Sequence, residues 1–228
     1  MINTERLDKN IDIFSTPFKL LGASFGNRMT IITLPQSDLW VHSPISLNSD
    51  MVKKINELGN VKHIVSPNLF HHLHIQEFLT HFPNNHVYGV SGIEKKLTNS
   101  YTVNSLEKAC HDGLWKPDIE SILIEGMPKV NEVVFYHSST KTLILTDLLF
   151  HFLNTKGWSK CLFTLYGVNE KLSISKLSKA LIKDKAKFKN AIEKVLSWDF
   201  NKIILSHGEI VKNGGREKFE KSFDWLLK

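Results

Sequence analysis

Four apolar, β-type runs in this chain each pass straight into histidine or aspartate. They are "LWVH" ending at His42, "HIVSPNLFHH" reaching His71 and His72, "LILTD" ending at Asp147, and "IILSH" ending at His207. In sheets that feed helices, ligands gather beyond the carboxyl ends of the strands, where rigid strands hold loops in place. Each residue alone has a plainer explanation. A histidine after a strand is usually a hydrogen-bonding loop residue, Asp147 before "LLF" suits a helix N-cap, and His207-Gly208 suits a turn. Four such strand ends together ask for a shared cause, and His and Asp are residues that bind metal.

The segments between these runs set the architecture. "RMTIITL" (28–34), the turn "PQSD" (35–38) and "LWVHSPI" (39–45) read as a hairpin whose second strand ends at Pro44. "NSDMVKKINELGN" has Met51, Ile55 and Leu58 at helical spacing, with Gly59 as a stop. "VKHIVS" is a strand, "HLHIQEFLTHF" a helix with Ile75, Phe78, Leu79 and Phe82 on one face, and "HVYGV" a further strand. Three β-type runs follow, "ILIEGM", "EVVFYHS" and "KTLILTD". A lysine-rich helical region, the strand "KIILS" and the closing helix "GREKFEKSFDWLLK" complete the chain. No repeat or Pro/Gly/Ser linker divides residues 1–228, so one α/β (α+β) domain is expected, with two mixed sheets covered outside by helices.

Composition narrows the partners. A chain of 228 residues with 42% hydrophobic and 23% charged content can form an ordinary globular core. No apolar run approaches the ~20 residues that span a bilayer, and "MINTERLDKN" lacks a signal-peptide apolar region. A soluble, cytoplasmic protein with no membrane partner is expected. Cys110 and Cys161 form neither a disulfide framework nor a zinc-finger pattern. Much of the net charge of +6 lies in "KLSISKLSKALIKDKAKFKN". There Leu177, Leu181 and Phe188 fit one helical stripe among solvated lysines. Nucleic acid is not an expected partner, since the basic run carries no interleaved aromatics or known motif.

His71 and His72 fall between Phe70 and the helix near Leu73. Neighbours in a strand point to opposite faces, but at a loop-to-helix junction both can turn toward one point. His74 and His81, seven apart on the helix, are expected on its exposed side.

In "RMTII", "LWVHSPI", "VSPNLFHHL", "TLILTDLLF", "IILSHGEIV" and the closing "WLL", from about residue 28 to the end, the chain resembles the metallo-β-lactamase-fold superfamily. More narrowly, it is similar to a little-characterised bacterial and plant branch of unknown function. The resemblance implies an αββα sandwich, with two mixed sheets face to face and helices outside. Laid on the superfamily motif H-x-H-x-D-H, this sequence has Pro67 and Leu69 where the first two histidines stand, His71 where the Asp stands and His72 where the last His stands. The superfamily's middle His would lie near Gly126-Met127-Pro128, where none exists. Its later Asp is Asp147 and its final His is His207. One metal position is thus emptied and the other kept. The resemblance implies a single-metal site of His71, His72, Asp147 and His207, suited to Zn²⁺ or Fe²⁺, with Mn²⁺ possible. Four protein ligands would close a tetrahedral zinc site, whereas a five- or six-coordinate ion leaves room for substrate.

The implied function is a metal-dependent hydrolase of an unidentified small molecule, with His42 and Glu209 as candidate catalytic residues, orienting ligands or carrying protons. The alternatives are a non-hydrolytic metalloprotein, doing iron redox or oxygen chemistry or serving as a metal-stabilised binding module, and a degenerate scaffold. The emptied metal position and the missing export signal argue against β-lactam hydrolysis.

Overall fold

The structure, a computed structural model, describes residues 3–97 and 101–228. The chain forms two compact units, one of residues 3–17 and 27–114, the other of 18–26 and 115–228.

The first unit is built on a seven-stranded mixed sheet. In spatial order its strands are Asn3–Asp8, Ile11–Thr16, Asn27–Thr33, Asp38–His42, Asn60–Ser66, His86–Gly89 and Val103–Ser105. The first four are antiparallel neighbours, and from Asp38–His42 onward the pairing is parallel. The change is dictated by the connections, because parallel neighbours need a crossover. The helices Ser49–Leu58 and Ile75–His81 supply two of them. In the first helix, Asn48 Oδ1 accepts from Met51 N at 2.9 Å as N-cap, and Met51 and Ile55 are buried. Burying each is worth roughly 1.5–3 kcal/mol. Gly59 ends it, since a Cβ there would lie 2.1 Å from the Ser37 carbonyl oxygen. Leu39, Val41, Ile64 and Val87, alternate residues of adjacent strands, pack with Met51, Ile55, Ile75 and Phe78 in one core.

Expected and observed elements differ here in two places. The strand 39–45 stops at His42, because Ser43 takes a left-handed φ of 57°. The polar start "NTERLD" pairs with "IDIFST" as two strands, its charges on a sheet edge that faces solvent.

The second unit carries a four-stranded mixed sheet in the order Ile119–Leu123, Val133–His137, Thr142–Leu145 and Lys202–Leu205. The last pair is parallel, bridged by the helices Gly157–Tyr166, Lys176–Ala180 and Lys185–Leu196. The first strand begins earlier than "ILIEGM" suggests and ends before the turn at Gly126. Gly126 and Met127 belong to that turn. The Gly126 carbonyl accepts from Lys183 N at 2.8 Å and Met127 is buried.

The expected lysine-rich stripe is broken into two helices. Phe188 is buried but Leu177 is 57% exposed, because the first helix ends at Ala180 and turns Ser178 inward instead. The closing helix is likewise two short helices, Gly215–Ser222 and Asp224–Leu227, with Phe219, Phe223 and Leu226 buried as their spacing predicts. A two-stranded hairpin, Lys19–Leu20 with Ala23–Ser24, completes this unit. No helix among the described residues is long and apolar enough to cross a membrane.

Candidate metal centre

In the first unit the histidine loop leaves the strand Asn60–Ser66 and is tied down at every step. Asn68 is fully buried, and its Oδ1 accepts from Phe70 N at 2.9 Å and His71 N at 3.0 Å. Ser66 Oγ donates to the His71 carbonyl at 2.9 Å. These bonds hold the turn that separates His71 from His72. His71 Nδ1 shares a 2.6 Å hydrogen bond with Ser43 Oγ, from the end of the neighbouring strand. His72 Nδ1 donates to the Phe70 carbonyl within its own turn at 3.2 Å, and burial lowers its pKa.

Behind this loop lies His42, 1% exposed and stacked on Trp40 with ring centroids 5.6 Å apart. Burial, then the nearby His71, push the His42 pKa down to about 3. His74 is half-buried and pairs with Glu77 at 3.2 Å, while His81 is exposed.

In the second unit Asp147 and His207 end the adjacent parallel strands Thr142–Leu145 and Lys202–Leu205, whose register pairs Leu145 with Leu205. Asp147 is placed by a buried acid, Glu132. Its two carboxylate oxygens accept from Thr146 N at 2.8 Å and Asp147 N at 2.9 Å. Burial, and after it the Asp147 charge, raise the Glu132 pKa against those two N–H groups.

His207 Nδ1 donates to the Gly26 carbonyl at 2.6 Å. A carbonyl only accepts, so Nδ1 carries a proton. Nε2 lies 3.5 Å from Asp147 Oδ1. Phe18, Phe25 and Phe150 surround the imidazole with centroids 6.0–6.1 Å away. Gly208, at φ 82°, lets the chain turn against His151, whose carbonyl oxygen would lie 2.3 Å from a Cβ there. Glu209 is exposed, and its backbone N and O bond His151 O and Nδ1 at 2.6 and 3.0 Å.

Each unit thus carries metal-competent side chains beyond its strand ends, His71 and His72 in the first and Asp147 with His207 in the second. The residues missed by sequence reasoning are Ser43, Asn68, Glu132 and Gly26. Of these only Asn68 carried a local signal, an Asx-turn residue directly after a proline.

The model of a domain of unknown function, DUF4336, matches residues 9–155, well over half of the sequence. The chain belongs to the DUF4336 family. This DUF4336 chain also has solved structures similar to it in fold. A metallo-β-lactamase from Pontibacter korlensis superposes with a TM-score of 0.66 at 12% identity, covering 100% of both chains. A metallo-β-lactamase from Hirschia baltica gives 0.62 at 10% identity, over 99% of this chain and 97% of that one. A metal-soaked flavodiiron core from Synechocystis gives 0.67 at 13% identity, over 99% of this chain and 60% of that one. At such identities the likeness shows the fold, which is metallo-β-lactamase-like, mixed α/β with two mixed sheets. No curated protein matches the sequence.

Proposed function

We propose that this chain is a metal-dependent hydrolase of a small molecule, working as one metallo-β-lactamase-like domain over residues 1–228 with a single divalent ion held by His71, Asp147 and His207. The observation that carries the reading is the pairing of His207 with Asp147. With Nδ1 bonded to Gly26, His207 turns Nε2 toward Asp147 Oδ1 at 3.5 Å. In the neutral ring that nitrogen and the carboxylate both offer electron pairs, and a divalent cation can join them. Two ligands ~2.1 Å from one ion in a tetrahedral set lie about 3.4 Å apart, so the spacing suits a shared Zn²⁺, with Fe²⁺ or Mn²⁺ as the other candidates.

His71 is the third ligand in this reading. Its bond to Ser43 at Nδ1 assigns Nε2 to the ion, in the way outer hydrogen bonds orient ligating histidines. Three protein ligands leave a position for water or substrate, which four would close in a tetrahedral site. His72 then serves as an exchangeable fourth ligand or a proton carrier, once it lets go of Phe70. His42, neutral down to about pH 3, packs behind His71 and orients it without carrying protons near neutrality. Glu209, exposed beside His207, is the proposed carrier of protons to solvent. An ion bound there would polarise a substrate oxygen and acidify water. The free thiols Cys110 and Cys161 suit a reducing, cytoplasmic compartment.

Metal analysis of protein purified without a histidine tag, in air and anaerobically, tests the site. About one ion per chain, lost in His207→Ala and Asp147→Ala, supports it, and metal-free protein from every preparation overturns it. Turnover of an ester, thioester, phosphodiester or lactam by the loaded protein, lost in the same variants, supports the hydrolase. The likeness to a flavodiiron core favours one second reading, iron redox chemistry. Oxygen uptake by anaerobically iron-loaded protein, with no hydrolysis, would support that reading instead.

A further inference from the structure

We propose that Lys96 is the substrate-recognition residue of this site and that the substrate is an amphiphilic anion, a carboxylate or phosphate carrying an apolar chain. The inference rests on the reading above and adds the substrate class.

Lys96 follows the short 3-10 turn Ile93–Lys95 and is exposed. A surface lysine ordinarily extends into water. This one folds back onto the histidine loop, where Nζ donates to the Leu69 carbonyl at 2.8 Å and sits 4.8 Å from the Phe70 ring centroid. The ammonium is thereby fixed beside Phe70-His71-His72. Among the described residues its hydrogen-bond and ring partners are the Leu69 carbonyl and the Phe70 ring face, neither of which carries a negative charge. An ammonium has three N–H donors, and the carbonyl takes one.

The same loop exposes two large apolar side chains, Phe70 at 48% and Leu73 at 71%, one on each side of the histidine pair. Asn68 and Ser66 hold the backbone at Phe70 and His71, so the exposure of Phe70 belongs to a built turn and not to a loose end. A cation held against exposed Phe70, on a loop that also exposes Leu73 and carries a proposed metal ligand, fits a molecule with one negative group and one apolar part.

The test titrates zinc-loaded and metal-free protein with octanoate, acetate and octanol, in parallel with metal content. Octanoate should bind at least tenfold more tightly than acetate, which has the charge without the chain, or octanol, which has the chain without the charge. Lys96→Met should lower octanoate affinity to that of octanol and leave octanol and metal content unchanged, while Lys96→Arg retains octanoate binding. Phe70→Ser with Leu73→Ser should bring octanoate down to the level of acetate. Equal octanoate binding by wild type and Lys96→Met, or equal binding of octanoate and acetate by wild type, overturns the proposal. Loss of metal from wild type overturns only the ion site, because the metal-free titration reads the Lys96 surface by itself.

Discussion

His207 Nε2 faces Asp147 Oδ1 at 3.5 Å while its Nδ1 donates to the Gly26 carbonyl. Replacing either removes one side of the proposed cation site. His207→Ala and Asp147→Ala should each weaken zinc affinity by at least 100-fold, measured by competition with a chromogenic chelator. His72→Ala, whose side chain bonds its own turn, should change it by less than tenfold. A His72→Ala loss as deep as that of His207→Ala would restore the four-ligand set.

The carboxylate of Glu132 receives two backbone N–H groups at once, from Thr146 and Asp147. Glu132→Gln keeps the shape but puts an NH₂ against one of those donors. The buried mismatch should cost about 2 kcal/mol and lower the melting temperature by roughly 4–8 °C. Metal affinity should fall as well, because the Asp147 backbone loses its anchor. A thermal melt of the metal-free protein separates the two effects, and an unchanged melt would remove Glu132 from its positioning role.

Acid should destabilise the fold before carboxylates titrate. Burial, then His86, push the His63 pKa down to about 4, and His42 is pushed to about 3. Both lie below the ~6.5 of an unfolded histidine. Between those values the unfolded chain binds more protons, so stability is complete above about pH 6.5 and is lost as pH falls toward 4. The urea midpoint of metal-free protein should therefore drop from pH 7.5 to pH 5, and His63→Gln should reduce that drop. An identical pH dependence in the variant would count against a half-buried, neutral His63.

The hairpin 27–42 and the two helical crossovers are readable in the sequence because they rest on local spacing and turn residues. The strand-end positions of His71, Asp147 and His207 are readable for the same reason. What sets their chemistry is not local. His71 takes Ser43 from 28 residues away, Asp147 is held by Glu132 from 15, and the His207 Nδ1–H is held by a carbonyl 181 residues distant. The inequality of His71 and His72 depends on one turn, shaped by Asn68 and Ser66, that places neighbouring side chains on different partners. Leu177 misleads because a stripe at helical spacing assumes one continuous helix, and the chain breaks after Ala180.

Ser43 offers the sharpest separation of site from scaffold. Its hydroxyl lies 2.6 Å from His71 Nδ1, its N–H donates to the Val65 carbonyl at 3.0 Å, and its φ of 57° is uncommon for a residue with a Cβ. Ser43→Ala removes only the hydroxyl, so zinc affinity should fall about 10–100-fold, the usual cost of losing an outer hydrogen bond to a ligating histidine. Ser43→Gly removes it too but also relieves the left-handed strain, worth ~1–2 kcal/mol. That relief offsets the ~0.5–1 kcal/mol entropic cost of glycine. Both variants should therefore lose zinc affinity to the same extent, while Ser43→Gly melts within a few degrees of wild type. If Ser43→Gly kept wild-type affinity, the left-handed backbone and not the hydroxyl would be what presents His71 to the ion.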